Sequence, residues 1–226
     1  MSLRPEGISL LWPTVPLYVM EGPVPGPTAL IQAGIHGDEI AGVHALQELL
    51  EEGRRPAAGR LLVVPVMNPA AYRARTRTAP GGLDLNRCFP GDPDAEAPES
   101  RLAAAFMALV RDEAPALVAT LHESKERYDP EVTPSFGQTL VYGVEPCPGL
   151  LASVVDGLNE APGDAAERWE TLYYPVATSS TEVIVDAMGC IGTCVETWMG
   201  FDEPRRIAMH KEVVQRLLDG IGVGLV

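Results

Sequence analysis

Residues 29–39 read Ala-Leu-Ile-Gln-Ala-Gly-Ile-His-Gly-Asp-Glu, and this stretch decides how the rest of the chain is read. An apolar run stops at a glycine turn and a helical pattern starts at once. Thr28 to Gly34 reads as a buried strand, and Asp38 to Glu52 as a helix with Ile40, Val43, Leu46 and Leu50 on one face. Gly53 closes that helix. The turn carries His36, and Glu39 follows in the first helical turn. A histidine and a carboxylate so placed can point at one spot, and that spot suits a divalent metal ion. Alone the pair is a weak signal, because a histidine on a turn is often just solvated.

Working outward, Arg60 to Met67 is an apolar run of the kind seen in strands covered on both faces. Residues 68–98 read as a long loop rich in Arg, Gly, Pro and Asp, and loops of that length are often functional. Pro98 to Asp112 is a helix with Leu102, Phe106, Leu109 and Val110 inward. Ala116 to Leu121 is a strand that runs straight into His122. Gln138 to Val144 and Thr171 to Val176 are strand-like, and Gly149 to Asn159 and Ser180 to Met188 helix-like. Ile191 to Thr197 is a strand that reaches Glu196. Pro204 to Leu218 is a closing helix with Ile207, Val214, Leu217 and Leu218 as its stripe. Residues 1–27 are Pro-rich and read as edge strands and turns. Alternating strands and helices predict an α/β fold, a three-layer sandwich around a mixed, largely parallel sheet. Sites in such sheets form at the carboxyl ends of strands, and His36, Asn68, His122 and Glu196 all fall there. His44 and His210 fall within helices and read as surface or core-edge residues.

The 226 residues suit one sizeable domain or two small ones, and a single domain spanning 1–226 is expected. A net charge of −14, from 17 basic and 31 acidic residues, argues against a nucleic-acid partner. No apolar run is long enough for a membrane helix, and the start of the chain is a poor signal peptide. The four cysteines form no Cys-x-x-Cys pair and read as free thiols in the cytoplasm. There is no Gly-x-Ser-x-Gly elbow, dinucleotide fingerprint or phosphate loop, which disfavours serine hydrolases, dehydrogenases and nucleotide enzymes.

Residues 68–92 carry the specific signal, with Asn-Pro at its start and Asp-Leu-Asn-Arg-Cys-Phe-Pro-Gly-Asp at its end. In order, Gly-x-His-Gly-Asp-Glu, Asn-Pro, this block, Leu-His-Glu and Val-Glu-Thr resemble the zinc carboxypeptidase superfamily, and within it the succinylglutamate desuccinylase/aspartoacylase branch. The resemblance implies one Zn²⁺ per chain held by His36, Glu39 and His122, with Glu196 as catalytic glutamate. It implies that Asp84 orients the first histidine, that Asn86 and Arg87 hold a substrate carboxylate, and that Arg77 stabilises the oxyanion. Arg73 and Arg75 compete with Arg77 for that role. Tyr174 matches a tyrosine that peptide-cleaving relatives keep over the substrate; it can equally be half-buried in a strand beside Tyr173. The substrate so implied is an N-acyl amino acid or short peptide with a free carboxylate, cut at the adjacent amide. The alternative is an inactive metal- or carboxylate-binding protein of the same fold.

Three departures from the family pattern stand out. Thr120 replaces an acid before Leu-His, which leaves the support of His122 open. The chain stops at Val226 without the accessory domain of aspartoacylase-type enzymes, so a bare catalytic domain is expected. Asp186 stands where those enzymes place an arginine that reads a second substrate carboxylate, which would exchange acidic for cationic or amine-bearing substrates.

Overall fold

A computed structural model describes residues 6–160 and 163–226. Among these, eight strands form one sheet: β1 (Gly7–Trp12), β2 (Val15–Glu21), β3 (Thr28–Ala33), β4 (Arg60–Val64), β5 (Leu117–Ser124), β6 (Thr139–Tyr142), β7 (Glu170–Tyr173) and β8 (Ile191–Trp198). Their order is β1-β2-β4-β3-β5-β8-β6-β7. The pairs β3–β4, β3–β5, β5–β8 and β6–β7 are parallel. The pairs β1–β2, β2–β4 and β6–β8 are antiparallel. The sheet is mixed with a parallel centre, as the alternation of elements predicts. β1 and β2 lie at one end of the sheet; the first five residues of the Pro-rich stretch fall outside the described residues.

The central strands are apolar on both faces because helices cover both. Ala29, Ile31, Leu61, Val63, Leu117 and Ala119 point to one side, onto α1 (Ala41–Glu51), α4 (Gly149–Leu158) and α6 (Glu203–Gly220). Their neighbours Leu30, Leu62, Val64 and Val118 point to the other, onto α3 (Pro98–Glu113) and α5 (Ser180–Met188). This period of two puts alternate residues in separate cores. Burying each Leu, Ile or Val contributes about 1.5–3 kcal/mol. Phe106, fully buried in the α3 core, is the side chain whose truncation to Ala would open the largest void there, at about 3–5 kcal/mol.

Several boundaries differ from expectation, for reasons that bear on the site. The first helix begins at Ala41, not Asp38, because the Glu39 carboxylate is drawn back toward two histidines. It has no side-chain N-cap of its own; the Ala41 N–H donates to Glu123 Oε2 at 2.9 Å instead. The loop at 68–98 contains a helix, α2 (Pro69–Ala74), and a 3-10 turn (Leu85–Arg87). Asn68 caps α2, its Oδ1 accepting from the Ala71 N–H at 3.1 Å, so its place after β4 serves the helix and not the site. His122 lies within β5, whose pairing with β8 continues to Ser124. On α6 the buried stripe is Met209, His210, Val213, Val214, Leu217 and Leu218, with Ile207 half-buried. His210 is therefore a core residue: its phase at i, i+3, i+4, i+7 sets it on the apolar face. No helix of the described residues is long and apolar enough to cross a membrane.

Candidate metal centre and active site

The turn after β3 is shaped by its glycines. Gly34 adopts φ +65°, which suits a residue without a Cβ. A Cβ on Gly37 would lie 2.0 Å from the Ala71 carbonyl carbon, so only glycine lets the turn rest on α2. The Gly37 N–H donates to the Thr76 carbonyl at 3.0 Å. Pinned in this way, the turn delivers His36 and Glu39 beside His122 on β5.

His36 Nδ1 lies 2.7 Å from Glu39 Oε1, and His122 Nδ1 lies 2.7 Å from Glu39 Oε2. The two rings are 4.9 Å apart at their centroids. One ligand atom from each of the three residues lies within 4.8 Å of the others, and all three residues are buried. Burial opposes the charge on Glu39, but the two imidazoles override it and hold the carboxyl far below the usual range. Burial likewise works to lower both histidines, and Glu39 overrides it, leaving each raised. Two nitrogens and a carboxylate oxygen, buried and converging, are a donor set that fits zinc.

The surrounding groups hold this trio in place. Behind His36, Asp84 Oδ1 lies 3.3 Å from Nε2. Asp84 Oδ2 accepts from Arg77 Nε and Nη2 at 3.1 and 2.9 Å. That fork leaves Arg77 Nη1 facing inward, 3.4 Å from His36 Nδ1 and 3.8 Å from Glu39 Oε1. Arg73 belongs to the last turn of α2 and Arg75 stacks over Tyr72, so Arg77 is the one of the three that lines the cavity. Behind His122, Nε2 is buried without a hydrogen-bond partner among the described residues. Thr120 supplies none; it accepts from Gln32 Nε2 at 3.0 Å and contacts Thr181 Oγ1 at 3.2 Å, tying β3 and β5 to the start of α5.

Glu196 on β8 stands directly across from His122 in the parallel register. Burial pushes its carboxyl up to about 7; His122 opposes the rise and Glu39 adds to it. Beside it opens a cavity of about 700 Å³, also lined by Arg77, Asn86, Arg87, Tyr174 and Glu182. Asn86 Oδ1 accepts from the Ser180 N–H at 3.0 Å, which leaves its amide nitrogen as a donor. Arg87 uses one guanidinium nitrogen on the Asn86 carbonyl, at 3.0 Å. Tyr174 meets Phe136 edge to face, ring centroids 4.8 Å apart, while Tyr173, which does not line the cavity, packs on Tyr142, which does.

Asp186 is a correction. It is exposed in the second turn of α5 and does not line the cavity. The helix meets the cavity with its first turn, through Thr181 and Glu182. One turn further along moves a side chain roughly 5 Å away.

Glu123 was visible in the sequence only as the residue after His122. It is buried; Oε2 caps α1, Oε1 pairs with Arg206 of α6, and its own N–H donates to Glu39 Oε2 at 3.2 Å. No local pattern announces this, since Arg206 lies 83 residues away.

These features form a candidate metal centre, with a further buried acid beside it, at the carboxyl ends of parallel strands. Residues 25–127 match the succinylglutamate desuccinylase/aspartoacylase catalytic domain. The chain is 50% identical over 76 residues to the N-alpha-acetyl-L-2,4-diaminobutyric acid deacetylase of Halomonas elongata, covering 33% of this chain and 22% of that protein. It is 44% identical over 85 residues to the succinylglutamate desuccinylase of Serratia proteamaculans, covering 35% and 25%. The matched stretches are thus about a quarter of those relatives' length. Among solved structures, product-bound cell shape determinant Csd4 of Helicobacter pylori superposes with a TM-score of 0.84 at 18% identity, over 94% of this chain and 56% of Csd4. An aspartoacylase family protein of Mesorhizobium loti superposes with a TM-score of 0.72 at 22% identity, over 99% and 70%. Residues 25–127 thus resemble the succinylglutamate desuccinylase/aspartoacylase catalytic domain, and the chain shares the zinc carboxypeptidase-like fold of these solved structures.

Proposed function

We propose that this protein is a zinc-dependent amide hydrolase. Its substrate is a small N-acyl amino acid or short peptide, cut at the amide next to a free carboxylate. The observation that carries this reading is the juxtaposition of Glu196 with the His36–Glu39–His122 trio across the β5–β8 register. A second acid beside a buried, converging donor set is the arrangement of a catalytic centre, and a purely structural zinc site has no use for it.

His36, Glu39 and His122 would hold the ion, with Asp84 orienting His36. Zinc at such a centre supplies Lewis acidity, polarising a carbonyl and making water acidic near neutral pH. Glu196 takes a proton from the attacking water and returns it to the leaving amine, work worth roughly 10²–10⁴-fold. Its raised carboxyl suits both halves of that exchange. Arg77 Nη1, already aimed inward by Asp84, donates to the oxygen on which charge develops. Asn86 and Arg87 seat the substrate carboxylate, the guanidinium with a planar fork and the amide with one further donor. The curated relatives support the substrate class, being named as a deacetylase of an N-acetyl amino acid and as a desuccinylase. The four free thiols suit a reducing compartment, and the cytoplasm is our assignment.

The test is the zinc content of the purified chain together with turnover on N-acyl amino acids and dipeptides, with and without a chelator. About one zinc per chain and chelator-sensitive release of the amine are expected. Glu196→Gln should keep the metal and lose roughly 10²–10⁴-fold in kcat. A fully loaded wild-type protein that cleaves none of the amides would instead make it a binding protein of the same fold.

A further inference from the structure

Three charged groups of the cavity are committed to partners. Glu39 faces two histidines, Glu123 pairs with Arg206, and Arg77 is held by Asp84. Glu182 is different. It sits in the first turn of α5 with its carboxylate on the cavity wall, and no Lys, Arg or His among the described residues pairs with it. One oxygen, Oε2, accepts the Val176 N–H and packs against Gly143. That bond fixes the side chain without neutralising it. Next to it the Phe136–Tyr174 pair gives an apolar, π-rich surface. An aromatic wall ending in an uncompensated carboxylate suits an alkylammonium group: methylenes against the rings, charge at the acid.

Its placement relative to the carboxylate seat narrows the substrate. Asn86 Oδ1 is bonded to the Ser180 N–H, only two residues before Glu182 on the same helical turn. The seat and the acid therefore face one bound molecule at close range. We infer that Glu182 is a specificity-determining residue that selects amino acids carrying an ammonium group on a short side chain. The inference rests on the carboxylate seat proposed above, and it places the amine recognition at Glu182 and not at Asp186.

Binding, which needs no turnover, tests it. The zinc-loaded full chain is titrated calorimetrically with three free amino acids: ornithine, ending in an ammonium; norvaline, ending in a methyl; and glutamate, ending in a carboxylate. The wild type should bind ornithine roughly 10- to 100-fold more tightly than norvaline, the value of a hydrogen bond to a charged group. Glu182→Gln, whose amide oxygen still accepts the Val176 N–H, should collapse that ratio toward unity. Glu182→Lys should reverse the order in favour of glutamate. A wild type that does not bind ornithine, or binds it no better than norvaline, overturns the inference whether or not the variants fold. So does a Glu182→Gln protein with an unchanged melting temperature that keeps the ratio. Ammonium selectivity in binding without hydrolysis of any N-acetyl derivative would defeat the hydrolase reading and leave this one standing.

Discussion

The two walls of the cavity are built by different means. The inner wall carries His36, Glu39, His122 and Glu196 on or next to parallel strands β3, β5 and β8, whose register is set by hydrogen bonds on both sides. The candidate metal-ligand trio there is buried, and Glu123, Arg206 and Gly37 brace it from behind. The outer wall carries Arg87, Phe136, Tyr174 and Glu182 on loops and at a helix start, and Arg87 and Tyr174 are exposed. A side chain on a paired strand cannot move without its neighbours, whereas one on a loop can be exchanged at little cost to the fold. On the proposed function, chemistry falls to the rigid wall and selection to the adaptable one.

That contrast predicts where substitutions act. The largest effect is expected behind the inner wall, at Glu123→Ala. It leaves the half-buried Arg206 guanidinium with only the Phe201 carbonyl and removes the cap from α1, which should lower unfolding stability by about 3 kcal/mol or more. Zinc affinity should fall with it, because the Glu39 loop loses its tether. Urea denaturation and metal titration check both; an unchanged denaturation midpoint would mean that Arg206 finds another partner and that the brace is dispensable. Gly37→Ala comes next. Its Cβ would overlap the α2 backbone, so turn and helix must part, at about 3 kcal/mol by calorimetry. A wild-type melting temperature would show the inner wall to be softer than its packing implies.

On the outer wall the sign of the evidence changes from stability to affinity. Arg87→Lys keeps the charge and loses the fork, so kcat/KM should fall by about 1.5–3 kcal/mol, chiefly through KM. Zinc content and melting temperature should remain those of the wild type. A loss of metal in this variant would erase the division between the walls.

The same division decides what was legible in the sequence. The inner wall could be read because its residues follow apolar runs whose period of two marks strands, and because glycine turns and His-x-x-Glu spacing are local. The 16-residue helix α3 was clear for similar reasons. At α1 a long-range contact overrides a local pattern. Helix α1 starts late because two histidines and Glu123 compete for its first turn. Short α2 lies inside the stretch whose composition reads as loop, although Asn68-Pro69 is a cap followed by proline at the first helical position and signals a helix start. His210 looked like a core-edge residue because a polar residue on an apolar stripe is ambiguous without its partner, Thr197. Asp186 follows from a count along the chain back from Glu196, and a count does not say which turn of a helix faces a cavity.

The smallest predicted effect comes from His210, which backs the inner wall. It is fully buried on α6, its Nε2 3.0 Å from the Thr197 hydroxyl, one residue beyond Glu196. Burial, with His122 and Arg206 adding to it, holds the ring down to about 3. In the unfolded chain a histidine titrates near 6.5. Between those values the unfolded state binds the extra proton and the folded state does not, so stability is lost as pH falls through that window, by up to about 1.4 kcal/mol per pH unit. His36 and His122 are raised and act with the opposite sign in metal-free protein: their contribution is present below about 6.5 and lost as pH rises through their folded values. Comparing wild type with His210→Gln in chelator cancels that shared term. Urea denaturation between about pH 7 and about pH 5 should show the wild type losing stability more steeply on acidification than the variant. Outer-wall substitutions such as Arg87→Lys should leave the slope alone, since they bring no titrating group into that range. Equal slopes in wild type and His210→Gln would mean that His210 takes its proton inside the folded protein, and that the space behind β8 admits more water than the packing of α6 implies.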